Sequence, residues 1–312
     1  MTSTRHLVSL DDLSDSALSD IVERGAESAR RAAAGAGVEG TSLAGKVVGV
    51  YFRKTSTRTR TAFSSGALRL GAGVIGYGPN DLQLVTGESI EDTARVMSEM
   101  LDVLVARTAG DPAELRALAG QPRMAVINAM SAEEHPTQAL ADLTTLTLRF
   151  GMVSGLRVLY VGEGNNTATA LALGLARFPD VELDLRTPPG YGVPAAVLER
   201  ATTTAADGTV IQQRHDLDDL PQDVDVVYTT RWQTTGTSKP DPNWREVFAP
   251  FQVTEELMDS SPKAVFMHDL PAHRGEEVAA EVLDGPASIA FPQATNKMHS
   301  AMAVLEWCTG AY

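Results

Sequence analysis

Short apolar runs rich in β-branched residues alternate with helix-compatible segments along most of this chain, and this alternation constrains the fold more than any other feature. We predict strands at residues 47–52, 73–77, 103–107, 124–128, 157–161, 181–187, 225–229 and 264–268. Most of these runs are followed by a segment with helical spacing of its apolar residues. Strands that alternate with helices pair in parallel, and helices cover both faces of their sheet. The predicted fold class is therefore α/β.

A break in the alternation near residues 150–155 separates two sets of elements. A chain of 312 residues is long enough for about two domains. We predict two parallel-sheet α/β domains, at residues 1–150 and 151–292, with a C-terminal helix at 293–312 that packs back on the first. Ligands of open parallel sheets bind at the carboxyl ends of strands. Polar segments fall at such ends in both halves, and we therefore expect the active site in the cleft between the domains.

Charge and cysteine content exclude several classes of partner. The chain has 40 acidic and 26 basic residues and a net charge of −14, and a surface this negative repels nucleic acid. The single cysteine, Cys308, excludes an internal disulfide framework and fits a reducing compartment. No stretch has the apolar length of a signal core or a membrane span. We expect a cytoplasmic protein with no membrane partner.

The first strand ends at Arg53, where a turn rich in hydroxyl and guanidinium groups leads into a helix. Backbone N–H groups at a helix start favour a bound anion, and an arginine fork can grip two phosphate oxygens. The glycines and the Gly-Lys-Ser/Thr ending of a P-loop are absent from this turn. A solvated basic turn is the alternative interpretation. The candidate phosphate ligands are Ser56, Thr57, Arg58 and Thr59.

Other polar strand ends carry histidines and a glycine pair, but they do not predict a cofactor. Gly162-Glu163-Gly164 follows a strand as in a dinucleotide fingerprint, yet position 167 is threonine where that fingerprint needs glycine. The histidines at 268, 273 and 299 lack the spacing of a metal-binding motif. We expect neither a cofactor nor a metal.

The ordered motifs together resemble the aspartate/ornithine carbamoyltransferase family, with the ornithine branch closer. They are the turn TSTRTR at 55–60, Arg107, the sequence HPTQ at 135–138 and the sequence HDLPAHRGEE at 268–277. Residues 6–14 and 88–96 are also similar, and the resemblance therefore covers nearly the whole chain. It implies transfer of the carbamoyl group of carbamoyl phosphate to an amine.

The resemblance also implies individual roles. Arg58, Arg107 and His135 would be the catalytic residues, with Arg107 and His135 donating hydrogen bonds to the carbonyl oxygen. Gln138 and the Leu270 backbone carbonyl would orient the carbamoyl amide. Gln83 matches a residue that reaches the site of a neighbouring subunit, which implies a homotrimer, or a multiple of one, with shared sites. The implied carbamoyl phosphate ligands are Ser56, Thr57, Arg58, Thr59, Gln83, Arg107, His135, Gln138, Leu270 and Lys297.

The acceptor half departs from the ornithine branch. Asp269 stands where that branch has cysteine, and the Thr-Arg-x-Gln arrangement at 230–233 is closer to the aspartate branch. Asn166 and Asp225 match residues that hold the α-amino end of ornithine. The candidate acceptor ligands are Asn166, Asp225, Thr229, Thr230, Arg231, Gln233 and Asp269.

This mixture leads us to expect a carbamoyltransferase whose acceptor is an amine other than ornithine. The acceptor would be a small amino-acid-like molecule or a peptide or antibiotic precursor, and the products would be a ureido compound and phosphate. An ornithine carbamoyltransferase that makes citrulline is the first alternative. A non-catalytic carbamoyl-phosphate-binding subunit is the alternative from another class.

Overall fold

The computed structural model describes residues 4–234 and 238–311. The chain forms two compact units. The first contains the residues up to Leu148 and those from Thr295 onward, and the second is Arg149–Ala294. No helix among the described residues is long and apolar enough to cross a membrane.

The described residues of the first unit form a four-stranded, all-parallel sheet with the strand order β2-β1-β3-β4. A short 3-10 helix at Leu10–Asp12 precedes the first helix, and another lies at Gln83–Thr86. The other elements are α1 (Asp15–Ala33), β1 (Val47–Phe52), α2 (Arg58–Arg69), β2 (Gly73–Tyr77), α3 (Ile90–Met97), β3 (Val103–Arg107), α4 (Pro112–Leu118), β4 (Ala125–Asn128) and α5 (Pro136–Phe150).

Sequence pattern explains this sheet. Strands β3 and β4 are buried along their whole length, as expected for apolar runs covered on both faces. The chain leaves β1 toward β2 on one side and returns to β3 on the other, and the carboxyl ends of β1 and β3 therefore flank the topological switch point. Phe52 is the register partner of Arg107. This pairing brings the turn after β1 beside Arg107.

The described residues of the second unit form a five-stranded, all-parallel sheet in the order β7-β6-β5-β8-β9. Its switch point lies between β5 and β8. The elements that follow α5 are β5 (Arg157–Val161), α6 (Asn166–Leu175), β6 (Glu182–Arg186), α7 (Ala195–Thr203), β7 (Val210–Arg214), β8 (Val226–Thr229), α8 (Trp244–Phe248), α9 (Glu255–Asp259), β9 (Val265–His268), α10 (Ala280–Leu283) and α11 (Ala290–Thr309), whose residues from Thr295 belong to the first unit.

The predicted fold class of two parallel-sheet α/β domains is confirmed. Four predicted strands have the observed bounds: 47–52, 73–77, 103–107 and 157–161. Strand β7 escaped prediction because its sequence, VIQQR, is polar and lies at a sheet edge. The segment 231–250, rich in threonine and proline, contains α8, and its residues 235–237 lie outside the described part of the chain. The position of the active site in a cleft between the domains stays a prediction.

Candidate active site

The start of α2 leaves backbone donors available. Thr57 is the N-cap residue, but its side chain makes no capping hydrogen bond with any described residue. The first turn of α2 contains no acidic side chain. In α3, by contrast, the Ser89 hydroxyl accepts a hydrogen bond from the Asp92 amide at 3.1 Å. An uncapped helix start beside arginines is a favourable place for an anion.

The four predicted phosphate ligands lie together on this turn. Ser56 and Arg58 are half-buried, Thr57 is exposed, and Thr59 is buried. The turn leads into a helix, as the sequence predicts, and Ser56 and Thr57 directly precede α2, which begins at Arg58. Gln83 is exposed on the 3-10 helix that follows β2, where its Oε1 accepts a hydrogen bond from Thr86 Oγ1 at 2.7 Å.

His135 immediately precedes α5, and the loop before it is firmly held. The carboxylate of the buried Glu134 accepts hydrogen bonds from the Ser9 hydroxyl at 2.6 Å and from the Leu10 amide at 2.8 Å. The Asn128 side chain donates to the Val8 carbonyl at 2.8 Å. These contacts tie the approach to α5 to the N-terminal segment, and they fix the backbone that presents His135.

Buried cationic and donor groups surround His135. Burial lowers the pKa of the His135 imidazole well below its ordinary value, and the charges of Arg107 and Lys297 lower that pKa further. All three side chains are buried, and His135 and Lys297 line one small pocket with Thr59 and Thr137. His135 is therefore neutral near pH 7, and the positive charge nearby belongs to Arg107 and Lys297.

The Gln138 side chain lies on the first turn of α5 and is 1% exposed. Its Nε2 donates a hydrogen bond to Asp142 Oδ1 at 2.8 Å. Its Oε1 is buried and accepts no hydrogen bond from any described residue. A buried acceptor without a donor is costly, which is typical of a group that meets a ligand.

The second unit also begins a helix after the first strand of its sheet, but this helix start is occupied. The Asn165 side chain accepts hydrogen bonds from the amides of Thr167 at 3.0 Å and Ala168 at 3.2 Å. Asn166 is buried at the first position of α6. In the preceding turn, a Cβ added to Gly164 would lie 2.0 Å from the Val193 nitrogen, and only glycine fits there.

Two predicted acceptor residues contact this helix start. The Thr167 hydroxyl donates to Asp269 Oδ2 at 3.0 Å, although the two residues are 102 positions apart. The Thr230 hydroxyl accepts from Asn165 Nδ2 at 2.9 Å and lies 2.9 Å from the Tyr160 hydroxyl. The structure therefore brings Asn166, Thr230 and Asp269 to the same edge of the sheet.

Arg231 and Gln233 lie half-buried on the segment after β8. Lys239, farther along the same segment, pairs with Glu163 and is surrounded by rings. Its Nζ lies 4.6 Å from the ring centre of Phe248, 4.7 Å from that of Tyr191 and 5.3 Å from that of Trp244. The ion pair between Lys239 and Glu163 and the surrounding aromatic rings hold this segment against the rest of the second unit.

The position of Asp225 does not support the prediction that it contacts the acceptor. Asp225 precedes β8, and its carboxylate accepts a hydrogen bond from the Arg157 amide at 2.8 Å. A four-residue strand, about 13 Å long, separates it from the carboxyl end where Thr230 lies. Thr229 is likewise engaged locally, since its hydroxyl donates to the Val161 carbonyl. The hydrogen bonds of Asp225 and Thr229 described here are therefore made within the sheet of the second unit.

The backbone at Leu270 has φ +51°, and its amide donates to His268 Nδ1 at 2.8 Å. Since Nδ1 accepts, the ring proton of His268 is on Nε2, which lies 3.2 Å from Glu277 Oε1.

His273, Glu276 and Glu277 bring possible metal ligand atoms within 4.8 Å of one another, although the sequence spacing does not indicate a metal. Glu277 already accepts from the His273 amide.

Comparison with known proteins decides the family. Residues 5–147 match the model of the aspartate/ornithine carbamoyltransferase carbamoyl-P binding domain, and residues 154–308 match that of the Asp/Orn binding domain. The chain belongs to the aspartate/ornithine carbamoyltransferase family. It is a carbamoyltransferase, as the ordered motifs predicted.

Known carbamoyltransferases align with nearly the whole length of this chain. An ornithine carbamoyltransferase of Symbiobacterium thermophilum is 42% identical over 303 residues, which are 96% of both chains. The solved ornithine carbamoyltransferase of Pyrococcus furiosus is 36% identical with a TM-score of 0.92, covering 99% of this chain and 98% of that one. The solved catalytic subunit of the aspartate transcarbamoylase of M. jannaschii is 29% identical with a TM-score of 0.82, covering 97% of each chain.

Sequence reasoning missed several side chains at these helix starts. Tyr160 and Asn165 contact Thr230, and Thr167 contacts Asp269, through pairings that only the fold creates. Asp142 was also missed, although its distance of four positions from Gln138 within a predicted helix is a signal that the sequence does contain.

Proposed function

We propose that this carbamoyltransferase uses ornithine as its acceptor and makes citrulline and phosphate. The observation that carries carbamoyl transfer is the neutral, buried His135 among the cationic side chains of Arg107 and Lys297. Support for ornithine comes from the relatives, since those compared above at 36% identity or more are named for this acceptor. The expectation of a different amine has less support.

The phosphate of carbamoyl phosphate would bind at the start of α2. Backbone N–H groups there have no capping side chain from Thr57, and the helix dipole favours negative charge. Arg58 would hold two phosphate oxygens through its planar fork. Ser56, Thr57 and Thr59 would donate hydroxyl hydrogen bonds, and the buried ammonium of Lys297 would add positive charge.

Attack of the amine on the carbonyl carbon turns the carbonyl oxygen into an oxyanion. Arg107 and His135 would donate hydrogen bonds to that oxygen, and removal of one such donor typically costs about 2.7–4 kcal/mol of transition-state stabilisation. The Thr137 hydroxyl lies 3.3 Å from His135 Nδ1. A hydrogen bond donated to Nδ1 leaves the imidazole proton on Nε2, which becomes the donor to the oxyanion.

The proton balance needs no dedicated protein base. The free amine attacks the carbonyl carbon, the C–O bond to phosphate breaks, and the departing phosphate takes the proton that the new C–N bond releases. Asn166, Thr230, Arg231, Gln233 and Asp269 are the proposed acceptor contacts. Holding both substrates in line supplies up to about 7–11 kcal/mol of the barrier reduction.

The test is phosphate release from carbamoyl phosphate in the presence of single amines. The panel contains ornithine, lysine, 2,4-diaminobutyrate, 2,3-diaminopropionate, aspartate and putrescine. We expect ornithine to give the highest kcat/KM, with citrulline identified by mass. Efficient turnover of another amine with ornithine ignored would move the acceptor assignment and leave carbamoyl transfer intact.

One observation favours the second candidate, an amine other than ornithine. Asp269 places a half-buried carboxylate at the start of α6, where it accepts a hydrogen bond from the Thr167 hydroxyl. A carboxylate at this position favours an acceptor with a second cationic group, or it takes up the proton of the attacking amine. Under this candidate, Asp269→Cys loses activity on the true acceptor and gains activity on ornithine. An Asp269→Cys variant that loses ornithine activity instead supports the ornithine assignment.

We also propose a homotrimer, or a multiple of one, in the cytoplasm, with Gln83 acting in the site of a neighbouring subunit. Several large apolar side chains between β2 and β3, the part of the chain that contains Gln83, are exposed, which suits a covered surface; they are Ile75, Val85, Val96 and Met100. Mixing inactive Gln83→Ala and Arg107→Ala proteins should restore part of the activity through hybrid sites. An active monomer in sedimentation velocity at the assay concentration contradicts this assembly.

A further inference from the structure

The side chains of Gln138 and Asp142 form a buried pair on one face of α5. They are four positions apart, one turn along the helix, and they are 1% and 0% exposed. The hydrogen bond from Gln138 Nε2 to Asp142 Oδ1 is 2.8 Å long. Neither side chain can exchange this contact for water without opening the helix packing.

The chemistry of the pair fixes which end of the amide faces Asp142. A carboxylate only accepts hydrogen bonds, whereas the amide of glutamine has a donor end and an acceptor end. Rotating the amide by half a turn would place Gln138 Oε1 against the carboxylate oxygen, where two acceptors repel. Asp142 therefore holds the NH2 end, and the oxygen end is turned away from it.

The oxygen end is the part of Gln138 that lacks a hydrogen bond. Gln138 Oε1 is buried and accepts none from any described residue. Three positions earlier, directly before the start of α5, His135 is influenced by the charges of Arg107 and Lys297, and all three side chains can donate hydrogen bonds. The region therefore combines donors for an oxyanion with one acceptor, and a carbamoyl group has the matching combination of a carbonyl oxygen and an NH2.

We propose that Asp142 is a positioning residue that orients the Gln138 amide oxygen toward the NH2 of the carbamoyl group, so that the site selects carbamoyl phosphate over acyl phosphates that lack this N–H. This inference rests on the proposed carbamoyl phosphate site. Without Asp142 the amide is free to turn its own NH2 outward, where it opposes the NH2 of the ligand. Acetyl phosphate has a methyl group in place of the NH2, and its affinity should therefore not depend on the orientation of the Gln138 amide.

The test compares binding of carbamoyl phosphate and acetyl phosphate by calorimetry to the full-length protein, Asp142→Asn, Gln138→Met and the double variant. The asparagine amide can accept from Gln138 or donate to it, so Asp142→Asn no longer fixes the orientation of the Gln138 amide. We expect this variant to weaken carbamoyl phosphate binding several-fold and acetyl phosphate binding less than twofold. If Asp142 acts through Gln138, then adding Asp142→Asn to Gln138→Met changes the preference no further. Thr144→Val, on the same helix and equally buried, is the matched control and keeps the preference of the wild type.

Equal weakening of both ligands by Asp142→Asn, or a further loss of preference in the double variant, overturns the proposal and assigns Asp142 a structural role. Asp142→Ala, which removes the acceptor without adding bulk, replaces Asp142→Asn if that protein does not fold. Failure of the wild type to bind carbamoyl phosphate refutes the proposed function itself, and this result is distinct from a wild type that binds both phosphates without preference.

Discussion

The two units begin a helix at the same place, directly after a central strand, and they treat that helix start in opposite ways. At α2 the N-cap Thr57 makes no side-chain cap with the described residues, and Arg58 and Arg60 occupy the first turn. At α6 the Asn165 side chain caps two amides, and Glu163 precedes the helix. Equivalent positions in one fold class thus carry an uncapped helix start in the first unit and a capped helix start in the second.

This difference shows that the backbone of any helix start is suited to an anion, and that the neighbouring side chains determine whether its N–H groups remain available to one. A helix start has unsatisfied N–H groups and a positive dipole end in both units. A capping side chain from the chain itself satisfies those groups in α6. In α2 they remain for a ligand, and the hydroxyls and guanidinium groups of the turn add charge and reach. The following predictions test this contrast, beginning with the largest effect.

Arg58→Ala should weaken carbamoyl phosphate binding more than a hundredfold, because the loss of a bidentate, charge-assisted contact leaves the phosphate without its main cationic partner. Isothermal calorimetry measures the change. Arg60→Ala is the control, since the exposed Arg60 donates to the Tyr77 carbonyl at 3.3 Å and lies over the Phe52 ring. Near-wild-type affinity in Arg58→Ala would exclude the start of α2 as the phosphate site.

His135→Asn should lower kcat about 10²- to 10³-fold while carbamoyl phosphate affinity changes only a few-fold, because donation to the oxyanion matters most in the transition state. Steady-state kinetics and calorimetry separate the two effects. His299→Asn, another buried histidine of the first unit that lies 2.9 Å from the Ser28 hydroxyl, is the control. Equal losses in binding and turnover would assign His135 to ground-state binding.

The free energy of unfolding should decrease at acid pH, in part because the buried imidazole of His135 resists protonation. Its pKa is lowered in the folded state, and the unfolded chain therefore binds this proton first as the pH falls. The stability from neutral His135 is present above its unfolded pKa of about 6.5 and is lost progressively below it. Urea unfolding between pH 7 and pH 5 should show a shallower loss for His135→Asn than for wild type. Parallel curves would contradict the lowered pKa.

The smallest effect compares the two caps directly. Asn165→Ala should destabilise the protein by about 1 kcal/mol, since two amides lose their acceptor. Thr57→Ala should leave the free energy of unfolding unchanged within error, because Thr57 makes no capping hydrogen bond with a described residue, and should instead weaken carbamoyl phosphate binding several-fold. Chemical denaturation measures both. A destabilised Thr57→Ala with normal binding would remove the contrast between the two helix starts.

Much of the fold was readable because its signals are local. Apolar runs such as 103–107 and 157–161 predict strands with the correct bounds, because strands covered on both faces need a continuous apolar sequence. The turn TSTRTR likewise predicts the start of a helix. The helices α7 and α8 were not predicted from the sequence. They are short and lie in polar sequence, where packing against neighbouring elements determines whether a helix forms. Asp225 shows the limit of a sequence match, because the match does not say at which end of a short strand the residue stands.

The sequence by itself determined the α/β class, the family motifs and the candidate residues for binding carbamoyl phosphate, because each depends on a few neighbouring positions. Only the tertiary structure decided which partners those residues have. The Thr167 to Asp269 hydrogen bond spans 102 positions, and the Lys239 to Glu163 pair spans 76. Such contacts arise when parallel strands align their carboxyl ends at one edge of a sheet, and the order of strands in the sheet is set by packing of the whole chain.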